Sequence, residues 1–231
     1  MRAAFLILFL FSTIYGGNWE TINNEDGIIV FRKSQPNSNF FIFKGEGNID
    51  APLSRILSIV QDTRLMPRWV SSCVEARLIE KNYDYATLKT NINDYYQIIY
   101  GRAAVPWPFR DRDYVLKGKI AYEPKDRSIS IHLVNIEHNK QPRRANIERM
   151  RVLRIEFILI PMSTTRTKII FTVALDPGGN IPAWAVNYMS KNEPLKTIKF
   201  LRLIAAQNIS DRKAEAMIER QLQYLDQHKK R

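Results

Sequence analysis

The amino-acid sequence predicts an α+β fold in which helices cover one antiparallel sheet of about nine strands. Short apolar stretches alternate with turn residues from Gly27 to Asp176, a pattern typical of antiparallel strands. Two segments instead show helical spacing, one early in the chain and one after the last strand. No repeat or linker interrupts this order, so we expect one main domain.

Each predicted strand is a short run in which apolar and polar residues alternate. In the last one, Ile169, Phe171 and Val173 share a face, which is the period of two of a half-buried strand. Gly118 lies inside another strand, where the missing side chain leaves space. The predicted strands span residues 27–33, 39–48, 73–82, 85–92, 95–101, 112–123, 128–136, 148–160 and 165–176.

Three helices are predicted. Residues 51–62 carry apolar side chains at i, i+3, i+4 and i+7 from Leu53 to Val60. A longer helix follows the turn sequence DPGGN, with Asn180 as its N-cap, and Pro194 should bend or split it between Ser190 and Glu193. The third is an amphipathic helix with Ser210 as its candidate cap. The apolar stripe of the long helix contains Ile181, Trp184, Ala185, Tyr188 and Met189 and resumes at Leu195, Ile198, Leu201 and Ala205.

The first seventeen residues resemble a secretory signal peptide. Arg2 precedes an apolar run of about 10 to 13 residues, which is shorter than the roughly 20 that a membrane-spanning helix needs. We therefore expect a signal peptide at residues 1–17, a domain at residues 18–207 and a basic helical extension at residues 208–231. The exported protein would be secreted or periplasmic.

The composition is basic, with a formal net charge of +12. Cations concentrate in residues 140–154 and 210–231, which would attract an anionic membrane or a nucleic acid equally well. If the protein is exported, an anionic membrane is favoured over a nucleic acid as the partner of these segments. The single cysteine, Cys73, excludes an intrachain disulfide.

Catalytic signatures are absent from the sequence. None of the three histidines, His132, His138 and His228, lies in a nucleophile or metal motif, and no phosphate-binding glycine loop is present. The sequence therefore predicts no catalytic residue, no cofactor and no metal site.

Several motifs in one order resemble the START family of lipid-transfer domains. They include FKGEGNI at residues 43–49, MPRWVSSCVEARLIE at 66–80, PWP at 106–108, DRD at 111–113 and LDPGGNIPAWAVN at 175–187. The resemblance covers roughly Asn18 to Ala206, and it depends on the motifs together, since each alone is weak.

The resemblance implies a helix-grip fold. In it a curved antiparallel sheet surrounds a hydrophobic tunnel, and the long C-terminal helix closes the tunnel as a lid. The loop at residues 102–111 would lie at the entrance, with Trp107 as a stiff apolar wall held by Pro106 and Pro108. The alternative is that Trp107 packs in the core.

The resemblance also implies a set of lipid-binding residues. Steroid-binding relatives carry a charged pair at the positions of Ile99 and Gly118, so an apolar or acyl-chain cargo is at least as well supported here as a sterol. Arg151 is expected to meet a carboxylate near the rim, with Asp113 as the candidate. The lipid-binding candidates are Gln97, Ile99, Trp107, Leu116, Gly118, Ile131, Leu133, Arg151, Phe157, Phe171, Val173, Trp184, Tyr188 and Met189.

The function implied is non-catalytic binding and transfer of a lipid or other hydrophobic small molecule by a monomer that contacts anionic membranes transiently and binds no nucleic acid. Three alternatives stay open. They are a peripheral membrane lipid sensor, a START-like enzyme and a basic nucleic-acid-binding protein.

Overall fold

The computed structural model describes residues 18–83, 95–207 and 209–227. The predicted strand at residues 85–92 and the predicted signal peptide lie outside the described residues. The strands are β1 Glu20–Glu25, β2 Ile28–Gln35, β3 Ser38–Ile49, β4 Cys73–Lys81, β5 Tyr96–Ala103, β6 Arg112–Glu123, β7 Ser128–Asn135, β8 Glu148–Arg149, β9 Val152–Ser163 and β10 Arg166–Asp176. The helices are α1 Leu53–Gln61, α2 Met66–Trp69, α3 Ala183–Ser190, α4 Glu193–Ala206 and α5 Arg212–Gln227, with a 3-10 turn at Thr63–Leu65.

The strands form one sheet in the order β1-β2-β3-β10-β9-β7-β6-β5-β4, and every neighbouring pair on this path is antiparallel. Pairing of β3 with β10 brings the first and last parts of the sheet together. Helices follow both β3 and β10, so they reach the same region of the sheet. The predicted α+β fold class is confirmed.

Two details of the strand prediction are corrected. The predicted strand at residues 148–160 is interrupted at Met150 and Arg151, because β8 pairs in parallel with β6 whereas β9 pairs with β7 and β10. The unpredicted β1 has the sequence ETINNE, which is mostly exposed and lacks an apolar face. It is held by its backbone pairing with β2.

The long C-terminal helix is divided as predicted. α3 ends at Ser190 and α4 begins at Glu193, with Pro194 in the first turn of α4, where its missing amide donor costs no hydrogen bond. The predicted N-cap Asn180 is wrong. Pro182, with an extended ψ of 139°, is the residue before the helix.

The fifth helix begins one residue later than predicted. The Asp211 carboxylate accepts the backbone N–H groups of Lys213 and Ala214 at 2.9 and 3.2 Å, so Asp211 rather than Ser210 is the N-cap. Ser210 instead donates its hydroxyl to Glu215. α5 packs on α1, where Arg55 pairs with Glu215 at 3.3 Å.

The main hydrophobic core lies between the helices and one face of the sheet. A small second cluster lies on the other face and is formed by Ile98, Tyr100 and Val115. These residues alternate along β5 and β6 with Gln97, Ile99 and Leu116 of the first face. The two faces of one strand pair therefore belong to different environments.

Candidate functional site

A cavity of about 50 Å³ lies between the inner face of the sheet and the first two helices. Its strand wall is a row of directly paired residues, Gln97 on β5, Gly118 on β6, Leu133 on β7 and Ile155 on β9. A Cβ atom on Gly118 would lie 3.4 Å from the Leu133 side chain, an ordinary contact, so larger side chains there would extend into the cavity. The other strand residues on the wall are Tyr96, Ile99, Tyr114, Leu116, Ile120, Ile131 and Phe157.

The helical wall comes from short elements that sequence reasoning did not assign to a site. Gln61 ends α1, and Met66 and Trp69 belong to the one-turn helix α2. The Trp69 ring meets the Phe157 ring edge to face, with centroids 5.8 Å apart. Gln61 lies four residues after Leu57 on the apolar stripe of α1, and this spacing could have indicated from the sequence that Gln61 faces the core.

The structure brings half of the lipid-binding candidates to this cavity. Phe171 and Val173 are buried on β10, directly paired with the wall residues Phe157 and Ile155 of β9, and the centroids of the Phe171 and Phe157 rings are 4.9 Å apart. They lie beside the wall on the next strand and do not line the cavity. The candidates on the wall are Gln97, Ile99, Leu116, Gly118, Ile131, Leu133 and Phe157.

The prediction that Trp184, Tyr188 and Met189 cover the cavity is wrong. Trp184 is 75% exposed and Tyr188 is 67% exposed, and Met189 is half-buried away from the cavity wall. The buried side of α3 is formed by Val186 and Ser190 instead. The Asn187 carboxamide holds the helix on β3, since it accepts from Phe41 N and donates to Asn39 O, both at 2.9 Å.

Trp107 neither lines the cavity nor packs in the core. Its side chain is 92% exposed, so both interpretations of the PWP segment are corrected. The loop is held from its ends, since Asp111 accepts from Arg102 Nη1 at 2.7 Å and from Val105 N at 3.3 Å. The indole contributes little to this anchoring, so the loop presents it to solvent.

The predicted ion pair between Arg151 and Asp113 is wrong, and neither Asp113 nor its actual partner lines the cavity. Arg149, not Arg151, binds Asp113, with Nε–Oδ1 and Nη2–Oδ2 distances of 2.6 and 3.2 Å. Parallel pairing of β8 with β6 places these two residues opposite each other, whereas Arg151 lies beyond the interruption and pairs with Asp176 at 3.1 Å. Burial lowers the pKa of Arg149, but the hydrogen bonds and charge of Asp113 outweigh burial and hold that pKa above its usual value.

The neighbouring Arg112 fastens the same region to the turn before α3. It donates to the carbonyls of Pro177 and Gly178 at 3.3 and 3.2 Å. Gly178 has a φ of +66°, which favours glycine at this position. The DRD stretch therefore joins the start of β6 to β8 and to the turn that leads into α3.

The polar groups on the cavity wall are uncharged. No Asp, Glu, Lys, Arg or His is among the wall residues that the structure describes. Gln97 Oε1 accepts from the Tyr83 hydroxyl at 3.1 Å, and Tyr83 stacks on Tyr95 with centroids 5.3 Å apart. Burial, together with the adjacent Cys73, raises the pKa of Tyr114 well above its usual value, so this phenol stays neutral.

Two wall residues carry polar atoms without a partner. In residues 18–83, 95–207 and 209–227, Gln61 Nε2, Gln61 Oε1 and Trp69 Nε1 are buried and make no hydrogen bond. In the same ranges, no group of three His, Cys, Asp or Glu side chains could hold a metal ion. None of the helices described is both long and apolar enough to cross a membrane.

Comparison with known proteins finds relatives along most of the chain. The START domain family model matches residues 12–207. An uncharacterized protein of Pseudomonas aeruginosa is 26% identical over 212 residues, which are 89% of this chain and 98% of that protein. The phosphatidylcholine transfer protein of Bos taurus is 24% identical over 186 residues, which are 77% of this chain and 79% of that protein.

Solved structures show the same fold. A STAR-related lipid transfer protein from Xanthomonas axonopodis has a TM-score of 0.70 at 21% identity, covering 81% of this chain and 98% of that one. Human StAR-related lipid transfer protein 5 also has a TM-score of 0.70, at 17% identity, covering 82% of this chain and 86% of that one.

Proposed function

The chain belongs to the START domain family, and on that premise we propose that it binds a hydrophobic lipid in its internal cavity and transfers it between membranes without catalysing a reaction. The observation that carries this proposal is the apolar, uncharged wall between the sheet and the first two helices. Relatives named phosphatidylcholine transfer proteins support lipid as the class of ligand. The wall candidates, led by Ile99, Leu116 and Phe157, would contact its acyl chains.

Lipid binding requires this cavity to expand. A volume of about 50 Å³ is far below the roughly 300–1,000 Å³ of pockets that enclose drug-sized ligands. The strand wall belongs to a continuous sheet, whereas α2 is one turn long. We therefore propose that α2 moves outward when lipid enters.

α2 and the turn that follows it are joined to the two ends of α4 by two exposed hydrogen bonds. Arg68 Nη2 donates to Gln207 Oε1 at 2.8 Å, and Ser71 Oγ donates to Glu193 Oε1 at 2.6 Å. Exposed side-chain bonds contribute little to stability, so they can be exchanged for water at low cost. In this proposal the gate is α2 held by α4, which replaces the expectation that Trp184 and Tyr188 close the tunnel.

Exposed aromatic side chains support transient membrane contact. Trp107, Trp184 and Tyr188 are 92%, 75% and 67% exposed, and aromatic rings of this kind favour the membrane interface. Arg112 links the base of the Trp107 loop to the turn before α3, so both aromatic segments emerge from one joined region. The net charge of +12 favours anionic lipids.

A vesicle transfer assay tests the proposal. The purified protein should accelerate movement of a fluorescent phospholipid or neutral lipid from donor to acceptor vesicles, faster when the acceptors contain anionic lipid. Vesicle binding without transfer would instead identify a lipid sensor. Salt-sensitive binding to single-stranded DNA with neither activity would identify a nucleic-acid-binding protein.

Export is part of the same proposal, with residues 1–17 as the leader. Amino-terminal sequencing of the protein from its native host should begin near Asn18. A protein that begins at Met1 and stays with membranes after a high-salt wash would contradict export.

A further inference from the structure

Gln61 and Trp69 carry buried polar atoms that have no hydrogen-bond partner among the described residues. Buried polar groups in folded proteins nearly always have a hydrogen-bond partner, because desolvation without one is unfavourable. Trp69 is 5% exposed and its indole N–H has no partner in the part of the chain that the structure describes. Both side chains line the cavity, so a ligand in the cavity can supply the missing partners.

The chemistry of the two side chains defines what that ligand must offer. The indole Nε1 is a donor only, and the carboxamide of Gln61 has two N–H donors and one acceptor oxygen. The ligand therefore needs an acceptor for the two N–H groups and a donor for Gln61 Oε1. Gln97, the other carboxamide on the wall, already accepts from Tyr83.

The charge of the wall limits the ligand further. No wall residue in the described ranges is charged, and the Tyr114 phenol is neutral. A phosphate or carboxylate placed here would lose its hydration without gaining a counter-charge, which is strongly unfavourable. The buried polar end of the ligand is therefore uncharged.

We infer that Gln61 and Trp69 form a hydrogen-bonding subsite for an uncharged lipid that carries a hydroxyl beside an ester carbonyl, as a diacylglycerol does. This inference rests on the proposed lipid-binding function and adds the class of lipid. Trp69 Nε1 and Gln61 Nε2 donate to the carbonyl, and the lipid hydroxyl donates to Gln61 Oε1. Phosphatidylcholine offers the carbonyl but no hydroxyl, and its headgroup is charged.

Tyr100 provides a matched control. Its hydroxyl is also buried without a partner among the described residues, but it lies on the other face of the sheet. There the guanidinium groups of Arg77 and Arg144 lie 4.8 and 5.3 Å from the centroid of the ring. Tyr100→Phe therefore removes an unpartnered atom without touching the cavity.

The experiment compares three pyrene-labelled probes, a diacylglycerol, a phosphatidylcholine and an alkane, in wild type, Gln61→Leu, Trp69→Phe and Tyr100→Phe. Wild type should bind the diacylglycerol more tightly than the phosphatidylcholine. Gln61→Leu and Trp69→Phe should each weaken diacylglycerol binding by about tenfold, the effect of leaving one buried hydrogen-bonding group unpaired. Alkane binding should stay unchanged in both, and Tyr100→Phe should bind all three probes like wild type.

The outcomes separate the two proposals. If wild type binds none of the probes, the lipid-binding function itself fails. If wild type binds the alkane but prefers phosphatidylcholine, or if Gln61→Leu binds diacylglycerol as tightly as wild type, the subsite is wrong and lipid binding stands. Should Trp69→Phe fail to fold, as judged by its unfolding transition, Gln61→Leu alone decides, since leucine has a similar volume.

Discussion

Replacing Arg149 by alanine should destabilise the fold several times more than replacing Arg151, although one residue separates them. The Arg149 and Asp113 side chains are 2% and 1% exposed, and Arg149 also donates to Gln141 O at 3.3 Å. Without Arg149, the Asp113 carboxylate stays buried without its partner. Removing one member of such a pair costs about 3–5 kcal/mol.

Arg151→Ala is the matched control, because it deletes the same side chain from an exposed pair. Arg151 is 68% exposed, and an exposed pair contributes only about 0–1 kcal/mol. Urea denaturation should therefore give a much smaller unfolding free energy for Arg149→Ala than for Arg151→Ala. Both should have similar denaturant slopes if the unfolded states are alike.

A double variant checks the cause. Asp113→Leu combined with Arg149→Met removes both charges, and it should be more stable than Arg149→Ala because no unpaired charge stays buried. Equal unfolding free energies for Arg149→Ala and Arg151→Ala would show that the buried ion pair does not stabilise the fold. The region between β6, β8 and the turn before α3 would then be held by its backbone pairing alone.

Three further predictions concern the cavity, the exposed loop and the fifth helix. Gly118→Val should abolish uptake of a fluorescent lipid, since its methyl groups extend into the cavity, while the unfolding free energy stays within about 1 kcal/mol of wild type; normal uptake would show that lipid binds elsewhere. Trp107→Ala should slow transfer between anionic vesicles but change the unfolding free energy by less than about 0.5 kcal/mol, because the ring is 92% exposed; a loss of several kcal/mol with normal transfer would contradict this. Burial and the hydrogen bond to Asp226 raise the pKa of Tyr122 to about 12. The folded protein therefore holds this proton more tightly than the unfolded chain does. The stability that results is present below about pH 10 and is lost as the pH rises to about 12. Thermal unfolding across this range should show the loss in wild type and not in Tyr122→Phe, and the same loss in both would exclude Tyr122 as its cause.

The sheet and the strand side of the cavity could be predicted from the sequence because alternation along a strand decides which residues share a face. Gln97 and Ile99 on β5, and Leu116 and Gly118 on β6, follow that rule and lie on the cavity wall. The break in the helix at Pro194 could also be predicted, since it depends only on the backbone N–H that proline lacks.

The remaining features depend on contacts between distant segments. α3 is held on the sheet by bonds between Asn187 and the start of β3, which no periodicity in residues 183–190 reveals. The choice of Arg149 over Arg151 follows from the parallel pairing of a two-residue strand. The helical wall was missed because Trp69 belongs to a single turn, which is too short to show a period.

In the proposed function, a lipid occupies the space between the sheet and the first two helices. The most direct measurement is mass spectrometry of the protein purified without detergent, first intact and then after solvent extraction, beside Gly118→Val prepared in the same way. We expect about one lipid molecule bound to each wild-type chain and none to the variant, because the site is single and enclosed. Lipid-free wild type that also takes up no lipid from vesicles, or equal lipid on both proteins, would contradict the proposed function.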